Sequence, residues 1–143
     1  MIVNGIIDGV EVQRSQALAP VQGLDVDLRF VDVKENGENL EAAFVYEANY
    51  LKDVGFLRMT GRLLVRPPNR EAREDVLKGW QQDKTIPADF AEEVTNAAHY
   101  LCTINSPFAT RIVDLAPPIA PLAVSLRGKQ ETTSMPAQKK GKK

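Results

Sequence analysis

The sequence predicts an α+β fold in which a four-stranded antiparallel meander sheet packs against a long C-terminal helix. Two observations predict it. Apolar residues alternate with polar ones through much of residues 10–66, whereas beyond residue 69 they recur at three- and four-residue steps. A chain of 143 residues is about one domain. We assign residues 1–126 to that domain and residues 127–143 to a disordered basic tail.

The first two strands follow from alternation alone. Val10 and Val12 alternate with polar neighbours in a short first strand, and LDVDLRF predicts the second. The alternation changes phase between Phe30 and Val31, and an extra residue of this kind predicts a β-bulge near residues 29–31.

Two tight turns join strands two to four. Asn36-Gly37 is a strong hairpin signal, because both central positions of a type I′ turn need positive φ. A second turn at Asp53-Val54 then sets Tyr46 opposite Gly61, where an aromatic ring would cover bare backbone.

Two helices follow the sheet. Asn69 is suited to cap the first, whose inward residues are Val76, Leu77 and Trp80. The second begins near Pro87, and Ser106-Pro107 is expected to break or kink it. Its apolar stripe, which is long for a monomer of this size, comprises Phe90, Val94, Ala97, Leu101, Ile104 and Phe108.

Catalytic and metal-binding motifs are lacking. Cys102 is the only cysteine, which excludes an internal disulfide and a cysteine-based zinc cage. His99 lies three residues before it, but two ligands are too few for a zinc site. A serine triad and a Gly-rich phosphate loop are also missing. We expect a protein that is not an enzyme and that needs no cofactor or metal.

Charge is segregated along the chain. From Arg127 onward the chain holds six basic residues and one acidic residue. Residues 127–143 therefore carry a charge of +5 and residues 1–126 a charge of −6, which together give the net charge of −1. Such tails are usually solvated; an RNA- or ribosome-directed role is the alternative, and we expect no nucleic-acid partner. The apolar runs are too short for a bilayer span and the N-terminus has no signal-peptide pattern, which together with the single cysteine predicts a cytoplasmic protein.

Apolar surface is abundant for two modest helices to cover. The segment DLAPPIAPL, residues 114–122, holds three prolines and cannot close a hydrogen-bond ladder, so it must run extended and leave grooves beside it. The residues predicted to line a peptide-binding groove are Phe44, Tyr46, Tyr50, Phe56, Leu57, Leu115, Ile119 and Leu122.

Three segments carry a resemblance to a known family: FVYEANYLKDVGFLRM at 44–59, SPFAT at 106–110, and the proline segment at 114–122. Their order resembles that of the SecB export chaperone and its SecB-like relatives. The KGW stretch at 78–80, which lengthens the link between sheet and main helix, is similar to the archaeal-type members. We expect two departures from the family. The segment APLAVSLRGKQ at 120–130, where the family has a second helix after the crossover, is short and runs into the tail, and Arg58, Arg62 and Arg66 interrupt the acidic docking face for the translocase motor.

The resemblance implies an ATP-independent holdase, a homo-oligomer of two or four subunits that binds unfolded or partly folded polypeptides in apolar grooves, with protein export as one setting. The alternative is a dedicated interaction module that guards one partner, as SecB-like proteins associated with toxin–antitoxin systems do by analogy.

Overall fold

The computed structural model describes residues 1–15 and 23–118. Ile119, Leu122 and the predicted tail therefore lie outside the described residues. The elements are β1 (Ile2–Arg14), β2 (Leu24–Asn36), β3 (Asn39–Tyr50), β4 (Gly55–Val65), α1 (Arg70–Asp83) and α2 (Ala88–Thr110), with short 3-10 turns at Leu51–Asp53 and Arg111–Val113. The predicted α+β class, with a four-stranded antiparallel sheet and a long C-terminal helix, is confirmed.

The strands lie in the order β1-β4-β3-β2. Only β2, β3 and β4 form a meander, and β1 pairs with β4, which is Greek-key connectivity. The prediction of a four-strand meander with a short first strand was therefore wrong in its first strand, which has 13 residues. Register shifts between Ile2 and Asn4 and between Ile7 and Gly9 break the alternation of apolar and polar residues. The pattern of alternation therefore did not predict most of β1.

The connection from β1 to β2 is held at both ends by the turn between β3 and β4. The Ser15 amide donates to the Val54 carbonyl oxygen at 2.8 Å, and the Leu51 amide donates to the Gly23 carbonyl oxygen at 2.9 Å. One turn thus fixes where the chain leaves one edge of the sheet and where it enters the other.

The first hairpin differs from the prediction by two residues. The expected bulge is present, between Phe30 and Asp32. The loop, however, is Gly37-Glu38, with Gly37 at φ 61° in the first central position, as a type II′ turn requires. Val33 therefore pairs with Ala42.

The second hairpin is shifted by two residues as well. Tyr50 pairs with Gly55, and Phe44, not Tyr46, faces Gly61. A Cβ atom at Gly61 would lie 2.5 Å from Cζ of Phe44, so an aromatic ring does cover this glycine. Because both shifts are even, every side chain keeps its predicted face of the sheet.

The core lies between the sheet and the two helices. The main cluster joins the inner sheet face to α2 and contains Phe44, Tyr46, Ala48, Leu57, Met59, Leu63, Val65, Val94, Ala98, Cys102 and Ala109. A second cluster places α1 against β2 and β3 and contains Val33, Leu40, Ala42, Val76 and Trp80.

Both predicted helices are present. Asn69 caps α1 as predicted, accepting a hydrogen bond from the Ala72 amide at 2.7 Å, and Pro87 precedes the first residue of α2. The break expected at Ser106-Pro107 is absent, since α2 continues through the proline to Thr110. Pro107 has no N–H to donate to the Thr103 carbonyl oxygen, and the Ser106 hydroxyl donates to that oxygen instead. This hydrogen bond helps the helix to continue.

Candidate polypeptide-binding surfaces

Five of the eight predicted groove residues are buried inside the chain. Phe44, Tyr46, Tyr50, Leu57 and Leu115 are at most 5% exposed. They contact the chain's own core, so the expectation that they are open to a guest polypeptide is not met in the folded chain.

Phe56 lies apart from these five. It is on the outer sheet face, half-buried, with the Arg58 guanidinium carbon 5.9 Å from its ring centroid. Ile119 and Leu122 lie beyond the described residues. The structure thus does not gather the six described members of the predicted set into one open groove.

The first half of the proline segment is anchored over one end of the sheet. Leu115 packs against Tyr50 and Val54 in a small cluster. The Tyr50 hydroxyl donates to the Ala116 carbonyl oxygen, and the Arg14 guanidinium donates to the Asp114 carbonyl oxygen. Burial raises the pKa of Tyr50 to about 12, so its hydroxyl remains a donor at neutral pH. Residues 114–116 therefore cover this end of the sheet by side-chain anchors in place of a strand ladder.

Helix α2 is apolar on two sides. The side that faces the sheet carries small residues, among them Ala98, Cys102, Ser106 and Ala109, all buried. The opposite side exposes Tyr100 (57%), Ile104 (47%) and Phe108 (76%) at four-residue intervals, and Ile112 (81%) follows at the same interval in the 3-10 turn after the helix. We call these four residues the α2 exposed ridge; its helical part, from Tyr100 to Phe108, extends about 12 Å along the helix axis.

The apolar stripe read from the sequence straddles these two sides. Phe90, Ala97 and Leu101 are half-buried, whereas Ile104 and Phe108 are exposed. Tyr100 and Ile112 were missed as surface residues. The four-residue spacing that links them to Ile104 and Phe108 is visible in the sequence, but spacing alone does not say which side of a helix meets the sheet.

The β1 edge is a second surface with apolar character. Within the described part of the chain β1 pairs with β4 on one side only, and the large apolar residues Val3, Ile6 and Val10 are exposed along it. Its single-letter run IVNGIIDGVEV holds only two charged residues, Asp8 and Glu11. A long edge strand with few charges is a template for pairing with another strand.

Acidic and basic side chains on the outer face of the sheet form ion pairs with one another. The Glu47 carboxylate accepts from Arg29 and Arg58, each at 3.1 Å, and Arg62 forms two hydrogen bonds to Asp8 at 2.8 and 3.0 Å. The neighbouring guanidinium groups lower the pKa values of Glu47 and Asp8. This face is therefore mixed in charge and not uniformly acidic.

The described residues contain no group of three or more His, Cys, Asp or Glu side chains placed to hold a metal ion. His99 and Cys102 are both buried in the core, and burial raises the pKa of the Cys102 thiol to about 12, which keeps it un-ionised and unreactive. Within residues 1–15 and 23–118 no helix combines the length and the hydropathy that crossing a bilayer requires.

Comparison with known proteins rests on structure. The sequence matches no protein-family model and no curated protein. Among solved structures it is similar to the Mycobacterium tuberculosis Rv1957 SecB-like chaperone in complex with a ChAD peptide from the Rv1956 HigA1 antitoxin, with a TM-score of 0.57 and 16% identity over 85% of this chain and 88% of that chain. The chain has a SecB-like fold. The resemblance read from the sequence is confirmed at the level of the fold.

Proposed function

We propose that this SecB-like chain is a polypeptide-binding chaperone that holds non-native segments without ATP, metal or catalysis. The observation that supports it is the SecB-like fold, on which apolar residues remain exposed to other chains. Contiguous exposed apolar surface on a folded protein marks a site of association with another chain. The structural neighbour was solved with a bound peptide, which supports polypeptide binding by this fold.

Self-association is part of the proposal. The α2 exposed ridge and the β1 edge are two different apolar surfaces, and each is suited to pair with the same surface of a second copy. One such two-fold interface gives a dimer, and two give a tetramer. Phe56, which the described core does not enclose, remains a proposed contact for a guest, and so do Ile119 and Leu122, which lie outside the described residues.

Two modes of polypeptide binding are open to this surface. A general holdase binds many unrelated non-native chains, whereas a dedicated module binds one partner. The antitoxin-derived peptide bound by the structural neighbour favours keeping the second mode as the alternative. Action in protein export, a cytoplasmic location and kinship with archaeal-type SecB-like proteins are finer proposals; the presence of α1 between the sheet and α2 supports the last of them.

The test uses the purified full chain and a chemically unfolded client at equal protomer concentration. We expect a delay in client aggregation, followed by light scattering without ATP, and no delay with an unrelated folded protein of similar size. Failure to delay aggregation by a folded, oligomeric sample would contradict the proposal. Affinity capture then separates the two modes, because many unrelated clients indicate a holdase and one stoichiometric protein indicates the dedicated module.

A further inference from the structure

A cavity of about 360 Å³ opens between the β2–β3 turn, the end of β4 and the first turn of α1. Its volume lies at the lower end of the range for small-molecule sites, about 300–1,000 Å³. The described residues that line it are Glu38, Arg66, Pro67, Asn69, Arg70 and Arg73. We call it the arginine cavity. Three arginines and one glutamate give this lining a net charge of +2, which suits an anion.

Arg73 is held in place beside the arginine cavity, and its side chain is only 23% exposed. Its Nη2 donates to the Gly37 carbonyl oxygen at 2.5 Å and lies 3.7 Å from a carboxylate oxygen of Glu35. Its Nε, in contrast, is buried and has no hydrogen-bond partner among the described residues. A buried donor that lacks an acceptor is costly, so this nitrogen indicates that an acceptor from outside the described chain binds there.

The other two arginines are exposed. Arg66 forms no ion pair with another described residue, and neither does Glu38. Arg70 pairs with Glu74 through its Nε at 2.9 Å, which leaves its two terminal nitrogens as donors for a further acceptor. The planar guanidinium group bonds two oxygens of a carboxylate or phosphate at once. These charges therefore favour an oxyanion over water as the missing acceptor.

The first turn of α1 adds neutral donors to the same cavity. The Asn69 Oδ1 accepts from the Ala72 amide, so the side-chain NH₂ group of Asn69 is left as a donor. The first amides of an α-helix have no acceptor within the helix, and the helix dipole adds partial positive charge at this end. The positive end of α1 thus lies where the three arginines meet.

We propose that the arginine cavity binds a phosphate dianion, either as the free ion or as the phosphate group of a small phosphomonoester. Such a group carries a charge of about −1.5 to −2 at neutral pH and three strong acceptor oxygens, which match the net charge and the donors of the lining. A phosphodiester carries a single negative charge and matches them less well. This site does not depend on polypeptide binding, so failure of the proposed function would leave it standing.

The test titrates the full chain with inorganic phosphate, glycerol phosphate or dimethyl phosphate by isothermal calorimetry, at about pH 7.5 and constant ionic strength. Dimethyl phosphate is the control, because it is a diester of the same shape with one negative charge. We expect both dianions to bind about tenfold more tightly than dimethyl phosphate. Glycerol phosphate binding more tightly than inorganic phosphate assigns the site to a phosphomonoester; otherwise the ligand is the free ion, and both results support the proposal.

Matched variants locate the binding. R66Q/R70Q removes two arginines from the lining and should weaken phosphate binding about tenfold or more. K78Q/R111Q removes the same charge from exposed positions outside the cavity and should bind as the parent does. E38Q removes the lining carboxylate that repels the anion and should tighten binding about twofold or more. All five side chains are exposed, so we expect the folded state to persist, as circular dichroism would verify.

Contrary results have distinct meanings. Equal weakening in R66Q/R70Q and K78Q/R111Q would assign the binding to overall charge and overturn the cavity. Equal affinity for dimethyl phosphate would overturn the dianion, and absence of phosphate binding by the folded chain would overturn the site. If single-stranded RNA without terminal phosphates binds the chain and loses affinity in R66Q/R70Q, the cavity reads a nucleic-acid backbone and the small-anion assignment is wrong.

Discussion

The Ser106 hydroxyl donates a hydrogen bond of 2.9 Å to the Thr103 carbonyl oxygen, inside α2 and one residue before Pro107. Thr103 lies four residues before Pro107, so its carbonyl oxygen is the one that the missing proline N–H would have bonded. Ser106 is fully buried, so its hydroxyl, and not water, replaces the backbone donor that Pro107 lacks.

Replacing Ser106 with alanine should therefore lower the free energy of unfolding by about 1–2 kcal/mol, because the Thr103 oxygen loses its partner in a buried setting. Urea denaturation measures the change. In a P107A background the restored N–H takes over, so the same S106A substitution should have a much smaller effect. Equal effects in the two backgrounds would show that Ser106 stabilises α2 by another route.

Substitution of Gly61 by alanine should destabilise the sheet by about 1–3 kcal/mol. The new methyl group would meet the Phe44 ring and the Ile6 backbone oxygen, and backbone cannot move aside as a flexible side chain can. G5A is the control, because its methyl group would meet only the ends of Leu63 and Leu101 at 3.1 Å. Thermal unfolding should show G61A well below G5A in melting temperature, and the reverse order would contradict this contact.

Loss of the α2 exposed ridge should weaken the self-association that we propose while leaving the subunit folded. Phe108 and Ile112 are the two most exposed members, so F108S/I112S removes little buried surface within one chain. Light scattering should give a smaller solution mass for this variant. The control, V26T/V31T, alters two exposed apolar residues on β2 and should keep the parental mass. An unchanged mass in F108S/I112S would place the association elsewhere.

Acidification should destabilise the fold through His99. Burial lowers the pKa of His99 below its ordinary 6.5, because the charged ring would lose its hydration. Tyr46, whose ring centroid is 6.2 Å away, is neutral in this range, since burial raises its pKa above 10. The unfolded chain thus binds more protons than the folded chain between the lowered pKa and 6.5, and the free energy of unfolding falls as pH drops through that window.

Urea denaturation in steps from neutral pH to about pH 3 measures this slope and the loss of carboxylate stabilisation below it. In H99Q the slope should disappear from that window. The carboxyls of Glu47 and Asp8 provide an internal contrast: their pKa values are lowered from 4.5 and 3.8, so the stability that they contribute is lost only at more acidic pH and should persist in H99Q. A full slope in H99Q would assign the effect to another group.

Sequence reasoning predicted the faces of the sheet better than its pairing. Side-chain alternation fixes which residues share a face, and the bulge at Val31 was visible as a change of phase. The positions of the loops, by contrast, were not predicted correctly. In the first hairpin, Gly37 takes the first central position of the turn instead of the second. Each two-residue slip preserves the buried face, so the hydrophobic pattern could not have revealed it.

The candidate site was predicted less well for a related reason. Periodicity shows that a residue such as Tyr46 or Phe108 belongs to an apolar stripe, but not what covers that stripe. The sequence led us to expect the sheet aromatics to be open and the α2 stripe to be long for a monomer. The structure buries Tyr46 under α2 and exposes Phe108, because the small residues of α2 allow the helix to approach the sheet closely on its other side.

The pairing of β1 with β4 also orders events during synthesis. β1 is complete at Arg14, but its partner does not begin until Gly55 and ends at Val65. At roughly 5–20 residues per second, β1 waits about 2 to 10 seconds for β4 to be made. Until then the backbone hydrogen-bonding groups of β1 lack the β4 partner and are open to other nascent chains, so β1 can join the sheet only after β2, β3 and β4 have been made. The protein that we propose to bind unfinished chains thus has an unpaired strand of its own during synthesis.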